Sequence, residues 1–152
     1  MTFEDSRFQS CLDEVSQIES PYPVVLVLFL GDNDIFPKGM DALSELKHPF
    51  QSIALHFFEH LKQTRLATGA KIYYVAPAMR RNKPIYNGVV PFVEYGLKKL
   101  ACHRKWLYIL SREYGGGSDP SQTSDDVHPH PHFQQSWILD YITHSISHAT
   151  SS

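Results

Sequence analysis

The run Val24-Val25-Leu26-Val27-Leu28-Phe29-Leu30 leaves a chain few ways to fold. Seven apolar residues without polar alternation are too short for a bilayer-spanning helix, which needs about 20. Rich in β-branched valine, the run predicts a strand buried on both faces of a parallel sheet. It ends at Gly31, and Asp32-Asn33-Asp34 follow at once. In open α/β sheets the loop beyond a strand's carboxyl end is where ligands are held. Asn33 can offer an amide N–H to an anionic oxygen there, and Asp34 can accept hydrogen bonds that brace the loop.

The rest of the chain alternates around this strand. Phe8, Cys11, Leu12, Val15 and Ile18 recur at helical spacing before Pro21 and Pro23. Phe50, Ile53, Ala54, Phe57, Phe58 and Leu61 form a second helical stripe, with Gly69 as its stop. Lys71 to Ala76 predicts a second strand and Trp106 to Leu110 a third. Between them Tyr86, Val90, Val93, Leu97 and Leu100 mark another helix. A proline inside a helix removes a backbone bond, so its regular start is expected near Pro91. Phe133, Trp137, Ile138, Tyr141 and Ile142 outline a closing helix, with a polar, frayed tail beyond His148. Such alternation predicts an α/β fold: three αβα layers, a parallel sheet and right-handed crossovers, in one domain over residues 1–148 with a disordered tail at 149–152. The loops after the strands would then gather Asn33, the Arg80-Arg81 loop and the Asp125 to His128 segment at one edge.

Composition narrows the class further. At 152 residues, with 42% hydrophobic and 20% charged residues, the chain suits one globular core. A formal charge of −2 argues against a strongly basic nucleic-acid binder. No apolar run approaches a membrane span, and residues 1–20 are polar and acidic, which points to a cytoplasmic or nuclear protein. Cys11 and Cys102 read as reduced thiols, a disulfide between them being the other possibility.

Gly31-Asp32-Asn33-Asp34 resembles the Gly-x-Asn-Asp block of the SGNH hydrolases, the GDSL esterase/lipase superfamily, and Asp125-Asp126-Val127-His128 resembles that family's Asp-x-x-His block. The resemblance covers Val24 to His148. It implies a flavodoxin-like, SGNH-type sheet and hydrolysis of a small acyl ester through a serine acyl-enzyme, with neither metal nor other cofactor. Carried over, His128 is the general base, Asp125 orients it, Asn33 donates its amide to the oxyanion, and Gly31 and Asp34 support the loop. The family's nucleophile lies in a Gly-Asp-Ser block after a central strand. Here the similar triplet is Glu4-Asp5-Ser6, preceded by only three residues. Ser6 is thus the candidate nucleophile, but it or Asp5 equally suits the N-cap of the first helix. The resemblance therefore implies a chain truncated before that block, impaired or inactive as a hydrolase by itself. The strand at 24–30 would lack a neighbour and self-associate through its free edge.

Two other function classes remain open. A non-catalytic binding or assembly module would keep the sheet without turnover. Domains resembling SGNH hydrolases occur in retroelement proteins, to which Pro77, Arg80-Arg81 and Tyr86-Asn87 are similar. A magnesium-dependent nucleotide-binding or nuclease-like domain would use Asp32, Asp34 and Asp125. Among the remaining clusters, His128-Pro129-His130-Pro131-His132 reads as a proline-stiffened loop, with metal binding as its alternative. His56 and His60 read as boundary histidines. Arg80, Arg81 and Lys83, and then Lys98, Lys99, Arg104 and Lys105, read as solvated surface that could touch phosphate.

Overall fold

The structure, a computed structural model, describes residues 1–36, 41, 43–80, 82–111 and 131–151. Asp125 and His128, and the Gly115 to Pro120 segment, lie outside the described residues. Helix α1 spans Ser6–Ser16, strand β1 Val25–Leu28, the single turn α2 Asp32–Ile35, and α3 Ile53–Thr68. They are followed by β2 Lys71–Val75, α4 Pro84–Ala101, β3 Leu107–Leu110 and α5 Pro131–Ser151. All strand pairs are parallel, in the order β1-β2-β3, with Val27 opposite Tyr73 and Tyr73 opposite Tyr108.

The layers follow from period-2 alternation along the strands. Leu26, Leu28, Ile72, Tyr74, Leu107 and Ile109 face the main core, where α1, α3 and α4 pack. Val27, Val75 and Leu110 face α5 through Tyr141 on the other side. Helices α3 and α4, which connect the successive parallel strands, pack on one face, and α5 closes the other. Ile53, Phe57 and Leu61 on α3 are fully buried, each stabilising the fold by about 1.5–3 kcal/mol. Asp5 caps α1 by accepting from the Arg7 N–H at 2.9 Å. Gly69 ends α3 in the left-handed conformation, φ +67°, its N–H returning to the Arg65 carbonyl.

Several expectations need correction. Strand β1 is a sheet edge among the described residues, so Val25, Leu26 and Val27 are half-buried instead of buried on both faces. Helix α4 does not wait for Pro91. It starts at Pro84, whose own ring occupies the first turn, and carries Pro91 in its interior. Pro91 is exposed, so its ring crowds only its own helix while Tyr86, Val90, Val93 and Leu97 bury the opposite face. Nor does the chain fray at 149. Helix α5 continues to Ser151, anchored where His148 Nδ1 meets the Tyr73 hydroxyl at 2.6 Å and its ring packs edge-on to Tyr108. Pro131 and His132 are already helical, so only residues 128–130 of the Pro-His alternation precede α5. Cys11 and Cys102 are both free and exposed.

Candidate functional site at the carboxyl edge of the sheet

Gly31 makes the turn out of β1 possible. Its φ is +122°, and a Cβ built on it would lie 2.3 Å from the Tyr74 hydroxyl oxygen and 2.9 Å from the Phe57 ring. Only glycine fits both the backbone conformation and that space. Tyr74 is held there because its hydroxyl donates to the Leu30 carbonyl at 2.6 Å. Full burial pushes its phenol well above the usual range, with Asp32 and Tyr86 adding to the effect, so it remains a neutral donor.

Beyond the glycine, three polar side chains share two partners, Phe3 and Arg80. The Phe3 N–H donates to Asp34 Oδ2 at 3.3 Å, tying the amino-terminal segment to the loop. Burial pushes the Asp34 carboxyl up, opposed by that N–H and by Lys47. Asp32 lies 4.0 Å from Arg80 Nη2, and the same nitrogen donates to Asn33 Oδ1 at 3.3 Å. Asn33 and Arg80, 47 positions apart, are thus brought together by the loops that follow adjacent parallel strands.

Arg80 is not the solvated cation that its sequence context suggests; it is fully buried. Its guanidinium stacks on Tyr86, 4.1 Å from the ring centroid. That contact is worth up to about 2 kcal/mol when desolvated. Asn87 holds the backbone beneath, its Oδ1 accepting the Arg80 N–H at 2.8 Å and its Nδ2 donating to the Arg80 carbonyl at 2.7 Å. Asp41 accepts the first N–H groups of α4, from Ile85 and Tyr86. Among the described residues, no hydrogen-bond partner reaches the buried Arg80 Nε and Nη1, a cost of about 1–3 kcal/mol for each group left unpaired.

No family model matches the chain, and no curated protein matches it.

The remaining predicted residues are placed as follows. Ser6 is exposed in the first turn of α1, immediately after the cap residue Asp5. Asp125 and His128 fall outside the described residues, so their distances to Asn33 and Ser6 do too. Helix α5 runs antiparallel to the strands: Tyr141 reaches the Ser111 carbonyl at 2.8 Å beyond the end of β3, whereas His148 lies back at Tyr73. It therefore starts on the carboxyl side of the sheet. Among the described residues no group of three or more His, Cys, Asp or Glu side chains is arranged to hold a metal ion. Instead His60 stacks on Phe3, 4.9 Å between centroids, and His56 stacks on His48 at 3.8 Å.

Sequence reasoning missed Phe3, Asp41 and the burial of Arg80. The available signal was Tyr86-Asn87 just inside a helix that opens on Pro84: an aromatic and an amide on the first turn, facing the loop that carries Arg80.

Proposed function

We propose that the carboxyl edge of the sheet is an acyl-ester hydrolase site of SGNH type, with Asn33 as its oxyanion donor. The observation that carries this reading is the Arg80–Asn33 contact. A guanidinium only donates, so the Asn33 oxygen must face Arg80 and its NH₂ must point away from it. The amide is thereby oriented as a donor before any substrate arrives, which is what oxyanion stabilisation requires. By the resemblance, His128 takes the proton of the attacking hydroxyl or water and Asp125 orients its ring. The ester carbonyl then becomes a tetrahedral oxyanion, and the leaving alkoxide recovers the proton from His128. Arg80 fixes Asn33 without touching the reacting atoms. The substrate is a small acyl ester.

Hydrolysis of p-nitrophenyl acetate tests this. Removing a triad nucleophile still leaves about 10³–10⁴-fold catalysis over water from oxyanion binding. The wild type is therefore expected to exceed the buffer rate even if Ser6 plays no part, and Ser6→Ala reports whether it does. Asn33→Ala should lower kcat by about 10²–10³, with KM nearly unchanged. A wild type no faster than buffer, or an Asn33→Ala variant as fast as wild type, would overturn the proposal.

A second reading, a non-catalytic assembly module, is favoured by the half-exposed apolar edge strand β1. It predicts association without turnover.

A further inference from the structure

At the amino end of β3 lies a hollow of about 500 Å³. It lies between the last turn of α4 and β3, whose outer edge is unpaired among the described residues, and its lining includes Lys98, Cys102, His103, Arg104, Lys105 and Ile109. The volume is within the range of small-molecule sites, about 300–1,000 Å³. We propose that this hollow binds a small phosphate-bearing molecule.

Charge is the first reason. From Tyr95 to Ser111 the chain contains Lys98, Lys99, Arg104 and Lys105 but not one Asp or Glu, although the protein as a whole carries −2. Lys99 turns aside to lie over the Tyr95 ring, and Lys98 pairs with Glu94 at 3.5 Å. Lys98, Arg104 and Lys105 against Glu94 leave a formal +2 at the hollow. A single carboxylate would leave half of that uncompensated. A phosphate monoester, with about −1.5 to −2 at pH 7, matches it.

The helix end is the second reason. A helix C-terminus repels anions through its unpaired carbonyls. Here those carbonyls are occupied: Lys99 O accepts the Cys102 N–H, Ala101 O accepts the Arg104 N–H, and Leu100 O accepts Arg104 Nη1. Arg104 is held over Phe58 as it does so. The sheet adds a donor. Ile72 and Ala76 donate to Trp106 and Leu110, so even-numbered β3 residues face β2, and Ile109 turns its N–H, together with its C=O, to the edge of β3 that is unpaired among the described residues.

Cys102 makes the hollow testable, because it is an exposed free thiol in the lining. In a Cys11→Ser protein, labelling of Cys102 by neutral N-ethylmaleimide is followed at low salt as inorganic pyrophosphate is added. Saturable protection is expected, with labelling slowed about tenfold at ten times the Kd by mass action. Sodium chloride at matched ionic strength should give none, and Lys98→Gln with Lys105→Gln should weaken protection at least about tenfold. A nucleoside diphosphate and a sugar phosphate, as further arms, report which carrier of the phosphate is preferred. Protection that is absent at about 10 mM pyrophosphate, is matched by chloride, or is unchanged in the lysine variants would overturn the proposal. So would preferential protection by a single-stranded oligonucleotide, which would make this a nucleic-acid surface instead.

Discussion

Replacing Gly31 by alanine attacks the turn that delivers Asn33, and the structure sets the size of the effect. A residue with a Cβ at φ +122° carries about 1–3 kcal/mol of backbone strain. The new methyl would also start 2.3 Å from the Tyr74 hydroxyl, well inside van der Waals contact. Tyr74 has no free direction to move in, since its ring is fully buried and its hydroxyl is bonded to Leu30 O. Displacing it leaves a buried carbonyl unsatisfied, about 1–3 kcal/mol more. A total near 4 kcal/mol is expected, out of the roughly 5–15 kcal/mol that holds a domain folded. Urea denaturation followed by the fluorescence of Trp106, which packs against Phe58, measures it.

Gly69→Ala provides the internal control. That glycine also has positive φ, +67°, but nothing lies within 4 Å of its would-be Cβ. Backbone strain alone should cost about 1–2 kcal/mol there. Repeating Gly31→Ala in a Tyr74→Phe background removes the closest contact and should recover about 1–2 kcal/mol as a coupling term. If Gly31→Ala costs no more than Gly69→Ala, or if the Tyr74→Phe background leaves its cost unchanged, the packing account of this turn is wrong.

Other consequences are as direct. Pro91→Ala should stabilise the protein by about 2 kcal/mol in the same denaturation assay, restoring a helix bond to Asn87 O at an exposed site. Burial, with His56 adjacent, holds His48 below its usual pKa of 6.5. The unfolded chain therefore binds that proton first, and stability should fall as pH drops through 6.5. His48→Gln should flatten this part of a Tm-versus-pH curve, and an unaltered curve would remove His48 as the cause. Because Lys71 donates to Val24 O, Val25 and Val27 turn their N–H and C=O groups to the edge of β1 that is unpaired among the described residues. Sedimentation velocity should show concentration-dependent association that Val25→Lys suppresses, and a single monomeric boundary at all concentrations would discount that edge as a contact surface.

What could be read without coordinates was what local periodicity encodes. The apolar runs at 24–30, 71–76 and 106–110 became three parallel strands in sequence order, and the stripes from Phe8, Phe57 and Val90 became the helices on one face. Pro91 reads as a helix start on intrinsic propensity alone. Tyr86 and Val90, on the turns that lead up to Pro91, bury so much apolar surface that the helix forms in spite of the lost bond. Arg80 misled for a related reason, since charge within a basic run reads as surface until an aromatic ring and an amide are known to close over it.

The tetrapeptide at the end of β1 was visible in the sequence, but the groups that give it a shape were not. Its conformation is imposed at three points by residues remote in the chain: Tyr74 on the Leu30 carbonyl, Phe3 on Asp34, and Arg80 on Asn33, at separations of 44, 31 and 47 residues. Two of these come from β2 and the loop after it, so the register of β1 on β2 places the clamps as well as the strand. A one-residue slip would send Tyr74 to the α5 face and move Arg80 away from Asn33 together. The site and the sheet register therefore stand or fall as one structure. Perturbing Gly31 or Tyr74 should disturb Asn33 before it unfolds the domain.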